Sequence, residues 1–382
     1  MPDAPPQRPP RAGSRPRWQH TLVPAVGAGL LAMVIIGAAA SFGMRHAPVR
    51  VGAFVRTYDH RTVNDPFEVL LVQSDGQAFA ALARDPLLRR PDVFPSRAEA
   101  AYRAQRMLLP WLAWAGSGGR SGWVPPALAA ISVLATAAAA AGLAALLHRL
   151  GGPTWPAALL PIVPGAQVSL AYFGPELLVL ALVVWGYLLW SRTPPTRSHV
   201  GWALALFALG ALARETGALV AGALALHEAV HRRWGRATLL GATLAPLVAW
   251  LLFLRVRLGA WPTGAGATRL EAPFVGLIRG VQISAAPLSV VVIAALGAVS
   301  VLVVVAVLGW RHELTIVALA HAGFGVVLGR AVWVQWEFPT RVLLTLYGLG
   351  LVALAVLARR VGSERPPPTA ADLSPTEALP SR

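Results

Sequence analysis

The stretch that decides the fold is residues 123–148, WVPPALAAISVLATAAAAAGLAALLH, which contains no acidic residue, lysine or arginine. As a helix it would be about 39 Å long, more than the ~30 Å hydrocarbon core of a bilayer. Similar apolar runs recur along the 382-residue chain, in which 56% of residues are hydrophobic and 13% are charged. These runs predict an all-α, polytopic membrane bundle.

Proline, glycine and arginine separate the apolar runs and mark the expected helix ends. The two arms on either side of Arg214 and Glu215 are each too short for a full span, so we expect a helical pair with a turn there. The region 153–175 is rich in proline and is expected to be irregular. We predict about ten segments, some short or broken: 21–43, 123–148, 155–172, 175–191, 199–213, 216–230, 237–256, 287–309, 313–330 and 340–358.

The arginines predict how the chain is oriented. Much of the net charge of +16 lies in short segments between apolar runs, which is typical of cytoplasmic loops and not of a nucleic-acid groove. We therefore expect no nucleic-acid partner, and a multi-pass protein of the bacterial inner (plasma) membrane with both termini in the cytoplasm. The predicted cytoplasmic segments are 1–20, 148–151, 191–198, 231–236, 310–313 and the tail from 359.

The same scheme divides the chain into regions. Disordered cytoplasmic tails are predicted at 1–20 and 359–382, around a transmembrane domain at 21–358 that begins with an uncleaved anchor. Two regions fall outside the membrane, a first outer loop at 45–122 and a second at 257–286. The absence of cysteine excludes disulfides, thiol nucleophiles and cysteine-ligated metals.

The first outer loop contains an acid inside an otherwise apolar stretch, LLVQSDGQAFAALARDPLL, at 70–88. Asp75 precedes a short amphipathic helix that we expect to lie on the membrane surface. One interpretation is that Asp75 caps this helix. The other is that it acts chemically at the membrane surface, with Gln77 beside it. The next acid, Asp85, precedes a proline and is interpreted as structural.

A second surface helix is predicted from Pro95 through RAEAAYRAQRMLLPWLAW, bent by Pro110. Glu99, Arg103 and Arg106 share one of its faces by their spacing. Two arginines above an apolar, tryptophan-rich surface suit a phosphate attached to a lipid. The alternative is that the arginines anchor the helix at the interface or pair with Glu99.

Other charges lie near the predicted outer ends of helices. Glu176 either complements the dipole of its helix or contributes to a site. Arg214 and Glu215 need a protein or aqueous cavity at their depth, and one interpretation is that they satisfy each other. Further candidates flank a tryptophan-rich outer turn: Arg330, Glu337 and Arg341.

Four stretches resemble a known family. SDGQAFAALARDPL (74–87) and AYRAQRMLLPWLAW (101–114) are similar to a bacterial group of GT-C glycosyltransferases, which has a Tyr-Asp-Gly-Gln stretch followed by Tyr-Arg-x-Gln-Arg-x-Leu-x-Pro. AYFGPELLVLAL (171–182) and ALARETGALV (211–220) resemble later positions of that group. The resemblance covers most of 21–358. It implies a membrane enzyme that uses a polyprenyl-phosphate sugar.

The implied reaction requires a base and a cationic site. Asp75 would take the proton of the acceptor hydroxyl, and a direct displacement would invert the donor's configuration. Gln77 would bind sugar hydroxyls, and either the pair Arg103 and Arg106 or one of two later arginines, Arg330 and Arg341, would bind the donor phosphate. The expected partners are a polyprenyl-phosphate sugar, membrane lipid, and a glycan, lipid or protein acceptor. No cofactor is expected, because one acid provides too few ligands to assign a divalent cation.

Two other functions stay open. Buried charges and broken helices also fit a transporter or lipid flippase, although no inverted repeat is evident. The other is that the protein is a catalytically inactive GT-C-like protein that binds lipid.

Overall fold

The fold is described by a computed structural model that covers residues 19–45, 66–72, 75–262 and 270–363. Regular structure in these ranges is helical, apart from an isolated bridge between Leu270 and Leu328. The α-helices are α1 (Gln19–Arg45), α2 (Pro66–Val72), α3 (Gly76–Arg84), α4 (Arg97–Ala104), α5 (Leu108–Gly116), α6 (Val124–Arg149), α7 (Pro164–Ala171), α8 (Glu176–Trp190), α9 (Arg197–Ala213), α10 (Glu215–Val230), α11 (Trp234–Ala242), α12 (Ala245–Leu258), α13 (Val275–Ile283), α14 (Pro287–Leu308), α15 (Glu313–Val327), α16 (Arg330–Trp333), α17 (Glu337–Val342) and α18 (Leu344–Ser363).

Within the described ranges, five helical segments are long and apolar enough to cross a membrane, and one of them is made up of α11 and α12. Shorter apolar helices, α8, α9 and α15, pack among them. The predicted class, an all-α membrane protein, is therefore confirmed. The five candidate spans are Gln19–Phe42, Ser121–Arg149, Trp234–Leu258, Pro287–Leu308 and Leu344–Ser363.

Prolines break two of the predicted segments. The segment predicted at 155–172 is a 3-10 helix, Trp155–Ile162, followed by α7, which begins at Pro164. The segment predicted at 237–256 is likewise divided into α11 and α12, with Pro246 in the first turn of α12. A proline lacks the N–H that would continue a helix but fits its first turn, so each one starts a new helix.

The predicted tails need one correction. Residues 359–363 are not part of a tail, because α18 continues to Ser363, and α1 likewise includes Gln19 and His20. The remainder of the two predicted tails, 1–18 and 364–382, lies outside the described residues.

Helices α1 and α6 pack closely because small side chains separate them. Ala28, Ala32 and Ala40 are buried at intervals of four or eight residues along α1. A Cβ at Gly29 would lie 3.5 Å from Cβ of Ala137 on α6. Between membrane helices there is little hydrophobic driving force, so close approach through small residues supplies the attraction by van der Waals contact.

The start of α1, the end of α18 and several connections meet at one end of the bundle. His20 at the start of α1 stacks on His148 at 4.8 Å. Arg149 donates to Ser191, and Arg359 near the end of α18 donates to the Gly151 carbonyl. We call this the terminal end, and it comprises residues 19–20, 148–151, 190–202, 226–236, 307–313 and 359–363. The arginine-bearing segments predicted to share one side of the membrane contribute to this end.

The other end of the bundle contains residues 75–123, 172–176, 213–216, 258–262, 270–287 and 328–344, and we call it the opposite end. Exposed tryptophans lie at both ends, with Trp202, Trp234 and Trp310 at the terminal end and Trp114 and Trp123 at the opposite end. Two belts of exposed tryptophan are typical of the two interfaces of a bilayer.

Helix α3 of the first outer loop is buried and does not lie on the surface as predicted. Ala78 and Leu82 of α3 pack with Met107, and with Trp250 and Leu254 of α12, in a small second core. Phe79 on another face of α3 enters the main core. The prediction of a surface helix was wrong because α3 is apolar on more than one face and each face has a protein partner.

The second predicted surface helix is also different from the prediction. Chain direction changes between α4 and α5, at residues 105–107, and not at Pro110. Pro110 lies in the first turn of α5, where its missing N–H costs no hydrogen bond. The Trp250 indole donates to the Ala104 carbonyl at 2.8 Å, which fixes the break against α12.

The two-ended arrangement predicts labelling from opposite sides. Because the chain has no cysteine, Ser121→Cys and Ser198→Cys each introduce a single exposed thiol, one at each end of the bundle. In sealed vesicles, a membrane-impermeant maleimide should label one variant directly and the other only after permeabilisation. Labelling of both variants from the same side would contradict this arrangement.

Candidate functional site

The carboxylate of Asp75 faces two arginines at the opposite end of the bundle. Asp75 occupies the N-cap position of α3, but its side chain makes no capping hydrogen bond. Instead its Oδ1 accepts a hydrogen bond from Arg103, and its Oδ2 accepts one from Nη1 of Arg341 at 3.2 Å. The capping interpretation of this side chain is therefore wrong, and Asp75 belongs to a side-chain site.

Arg103 reaches Asp75 from the last turn of α4. This helix begins where the Ser96 hydroxyl accepts from the Glu99 N–H at 3.1 Å. Nε of Arg103 donates to Oε1 of Glu99 at 2.7 Å, which confirms the pairing expected from their spacing. The pairing with Glu99 orients the guanidinium group so that its Nη1 points at Asp75.

A second carboxylate, Glu176, accepts from two buried arginines. It is the first residue of α8 and pairs with Arg214, the residue between α9 and α10. Nε of Arg341 also donates to Oε1 of Glu176, at 2.9 Å. Arg341 on α17 therefore bridges Glu176 and Asp75, and links segments far apart in sequence.

Glu215 does not pair with Arg214, as one sequence interpretation had it. Its two carboxylate oxygens accept from Nη2 and Nε of Arg106, at 2.6 and 3.1 Å. Arg214 has extended backbone at the break between α9 and α10, and its side chain extends to Glu176. The predicted helical pair is confirmed, but the two residues at its turn have different partners.

These eight side chains form what we call the charge cluster: Asp75, Glu99, Glu176, Glu215, Arg103, Arg106, Arg214 and Arg341. Four carboxylates balance four guanidinium groups, so its formal charge is zero. An unpaired charge at this depth would cost several kcal/mol to desolvate, so each charge needs a partner.

The carboxylate side chains of the charge cluster differ in how far they are exposed to solvent. The Glu176 side chain is 2% exposed, whereas those of Asp75 and Glu215 are 19% and 40% exposed. Solvent therefore reaches Asp75 and Glu215 but not Glu176. Asp75 lies where a polar ligand from outside meets arginines that are themselves buried.

The arginines also set the ionisation of Asp75. Burial by itself would raise the pKa of this carboxyl, but Arg341, Arg103 and Arg106 outweigh burial and hold its pKa below the ordinary value of 3.8. Asp75 is therefore ionised at neutral pH. The same arginines make it a weaker proton acceptor for as long as they remain paired with it.

Two buried N–H donors of the charge cluster make no hydrogen bond within the described part of the chain. Nε of Arg214 makes no hydrogen bond to the residues that the structure describes. Nη2 of Arg341 lies 2.9 Å from Glu176 but is not aligned for a hydrogen bond. Such donors are favourable contacts for an anion that enters the site.

A tight turn before α8 brings Glu176 under Arg341. Phe173 in this turn has a positive φ of 50°, and Gly174 follows it. A Cβ at Gly174 would overlap the Glu176 carboxylate and approach Nη2 of Arg341 to 2.9 Å. The FGPE sequence therefore has glycine where a backbone must pass directly beside an ion pair.

The other predicted site residues have different surroundings. Gln77 is fully buried in the first turn of α3, two residues after Asp75. Glu337 lies near Tyr172. Burial has the largest effect on the Tyr172 hydroxyl and raises its pKa, and the charge of Glu337 raises that pKa further. Arg330 is exposed, and its side chain makes no ion pair with the described residues; its backbone N–H donates to Glu271. Arg330 is thus not brought into the charge cluster.

Sequence analysis did not identify Tyr102 as a site residue. Its ring lies 5.3 Å from the guanidinium carbon of Arg103 and 5.2 Å from that of Arg106, and its hydroxyl accepts from Arg106 at 3.2 Å. The i, i+4 spacing of Tyr102 and Arg106 could have indicated that these two side chains are in contact. Gly174 had no such signal, because its role depends on Arg341, which is remote in sequence.

Comparisons with known proteins give no match: no family model, curated protein or solved structure is similar to this chain. Within the described residues, no group of three or more acidic or histidine side chains is placed to hold a metal ion.

Removing the acid at the centre of the charge cluster should destabilise the protein. Glu176→Gln leaves Arg214 and part of Arg341 without a counter-charge, and losing one member of a buried pair costs about 3–5 kcal/mol. The free energy of unfolding in detergent measures this loss. The control is Arg279→Gln, since that side chain is 60% exposed and lies 3.5 Å from Glu271. It should cost about 1 kcal/mol or less, and equal losses would contradict the account.

The turn before α8 gives a second test. Gly174→Ala places a methyl group against the Glu176 carboxylate and should lower the unfolding temperature by several degrees, since overpacking costs about 1–3 kcal/mol. Gly222→Ala on α10 meets no atom within 4 Å and serves as the control. It should be neutral or slightly stabilising, because alanine favours helices. Gly174→Ala with unchanged stability would show that the turn is not tightly packed.

Proposed function

We propose that this protein is a membrane glycosyltransferase of the GT-C type. It transfers a sugar from a polyprenyl-phosphate donor to an extracytoplasmic glycan, lipid or protein acceptor, with inversion. The observation that carries this proposal is the half-buried carboxylate of Asp75, held between Arg103 and Arg341 at one end of a membrane bundle. That arrangement places a proton acceptor beside cations suited to a lipid-borne phosphate.

The proposed orientation follows from the distribution of charge. Arginines at the terminal end are mostly exposed, and those of the charge cluster are buried and neutralised. The first outer loop also has exposed arginines, but long loops cross the membrane largely regardless of their charge. By the positive-inside rule the terminal end faces the cytoplasm of a bacterial cell, and the opposite end faces outside. The chain then crosses the membrane about ten times, with the shorter apolar helices as spans.

The proposed chemistry is a direct displacement. The acceptor hydroxyl oxygen attacks the anomeric carbon of the donor sugar, and the bond from that carbon to the phosphate oxygen breaks. The phosphate leaves with the bonding electron pair, attached to its polyprenyl chain. Asp75 takes the acceptor proton, and the arginines stabilise the charge that develops on the phosphate.

The paired state of the charge cluster gives the donor phosphate a further role. Asp75 is a weak base while Arg103 and Arg341 bind it. A phosphate that takes over one of these guanidinium groups would weaken that pairing and make Asp75 a stronger proton acceptor. Arg341 suits this exchange because its Nη2 makes no hydrogen bond to the described residues. Arg106 is not one of the two arginines that bind Asp75, and both oxygens of Glu215 bind it.

A non-catalytic function is the second candidate. The full charge balance of the cluster favours it, because an ion-pair network with no net charge can serve only to join helices. A lipid-binding protein of this kind would retain lipid but form no glycosidic bond. Deletion of the gene would then leave envelope sugars unchanged.

Replacing the proposed base separates these functions. Asp75→Asn should reduce glycosyl transfer by about 10²–10⁴-fold, the usual contribution of a positioned base. A strain that lacks the gene should lack one envelope sugar. Transfer by the purified protein is then measured with the lipid fraction of that strain as substrate. The matched control is Asp85→Asn, because the Asp85 carboxylate accepts from the nearby Arg90 N–H, at 2.6 Å, and forms no ion pair with the described residues.

The control variant should keep nearly full activity. Equal activity of Asp75→Asn and the natural protein would reject Asp75 as the base. Loss of folding in Asp75→Asn is tested separately by its unfolding temperature, and a companion variant, Asp75→Glu, keeps the charge while displacing it. A base should be sensitive to that displacement even where the protein remains folded.

A further inference from the structure

A groove at the terminal end is distinct from the charge cluster. It lies between the last turn of α10 and the connection from α14 to α15, and has a volume of about 270 Å³. Its basic side chains are His227, His231 and Arg311, and its apolar ones include Leu226, Val230 and Trp310. The proposed transfer reaction uses none of these residues.

The polar half of the groove is basic. His227 and His231 are one helical turn apart, with ring centroids 4.3 Å from each other. Nδ1 of His231 lies 2.8 Å from the His227 carbonyl, so this nitrogen is the donor. In the imidazolium form of the ring, Nε2 is a second donor that can bind an anion. Arg311 is exposed, and it forms no ion pair with the residues that the structure describes. The permanent positive charge of the groove is therefore that of Arg311.

Two acids lie near the groove, and each makes its hydrogen bonds to residues outside it. Glu228 is buried and accepts from Trp190, and it also pairs with Arg236 at 3.2 Å. Glu313 accepts from the Tyr187 hydroxyl at 2.7 Å. Neither acid lines the groove.

The apolar half of the groove faces the lipid. Leu226, Val230 and Trp310 are all largely exposed, on a bundle whose outer surface is in contact with a bilayer. Trp310 lies at the end of a candidate span, where tryptophan marks the membrane interface. The apolar side chains thus meet acyl chains at the depth where the basic side chains meet headgroups.

We propose that this groove binds an anionic phospholipid, with the phosphate between Arg311 and the two histidines and an acyl chain along Leu226 and Val230. A bound transition metal fits less well, since the guanidinium group of Arg311 would repel a cation in the same groove. The site is independent of the proposed glycosyl transfer.

The test compares two arginines at the same end of the bundle. Arg311 lines the groove, whereas Arg197 is exposed at the start of α9 and does not. The delipidated full-length protein in detergent is titrated with phosphatidylglycerol, phosphatidylcholine or inorganic phosphate, and retained lipid is counted by native mass spectrometry. Arg311→Gln should weaken phosphatidylglycerol binding about fivefold, while Arg197→Gln should change it by less than about twofold.

A double variant, His227→Gln with His231→Gln, should weaken the same binding and leave the unfolding temperature nearly unchanged, because both side chains are at the surface. Phosphatidylcholine should bind weakly to all variants. Equal weakening by Arg311→Gln and Arg197→Gln would overturn the proposal, since it would indicate general surface charge. Binding of inorganic phosphate as strong as that of phosphatidylglycerol would also overturn it and indicate a site for a soluble anion.

Discussion

The structure depends on the need to pair every charge that is buried at one end of a membrane bundle. Glu176 and Arg341 are nearly inaccessible to solvent, and each is tolerable only because the other is present. Arg341 also binds Asp75, so the pairing that makes burial possible joins the outer loop to the bundle. The ends of α4, α8, α9, α10 and α17 are thereby held at one point.

The same pairing limits what the site can do. Arginines that neutralise Asp75 keep it ionised, but they also weaken it as a base. In the proposed reaction a lipid-borne phosphate would resolve this conflict, because it would compete with the carboxylate for the same guanidinium groups. Partial exposure of Asp75 above a buried Glu176 gives such a ligand access from one direction. We infer that the cluster is arranged for an exchange of partners and not for one fixed set of ion pairs.

Much of the fold could be predicted from the sequence, because membrane helices are encoded by local apolar length. The pair α9 and α10 and the irregular region before α8 were predicted correctly from short arms and prolines. The membership of the charge cluster was predicted in part, through charges near helix ends. The pairing of these charges could not be predicted, because Arg214 next to Glu215 suggested a local ion pair. In the folded protein Arg214 pairs with Glu176, and Glu215 pairs with Arg106. The burial of α3 likewise depends on α12, about 170 residues away.

The most direct test of the central claim is a double-mutant cycle between Asp75 and Arg341. The free energies of unfolding of Asp75→Asn, Arg341→Gln and the double variant are measured by equilibrium unfolding in mixed micelles. Contact between the two side chains predicts a coupling free energy of about 1–3 kcal/mol, so that the double variant loses less than the sum of the single losses. Single losses that add to within about 0.5 kcal/mol would contradict the pairing, and with it the site.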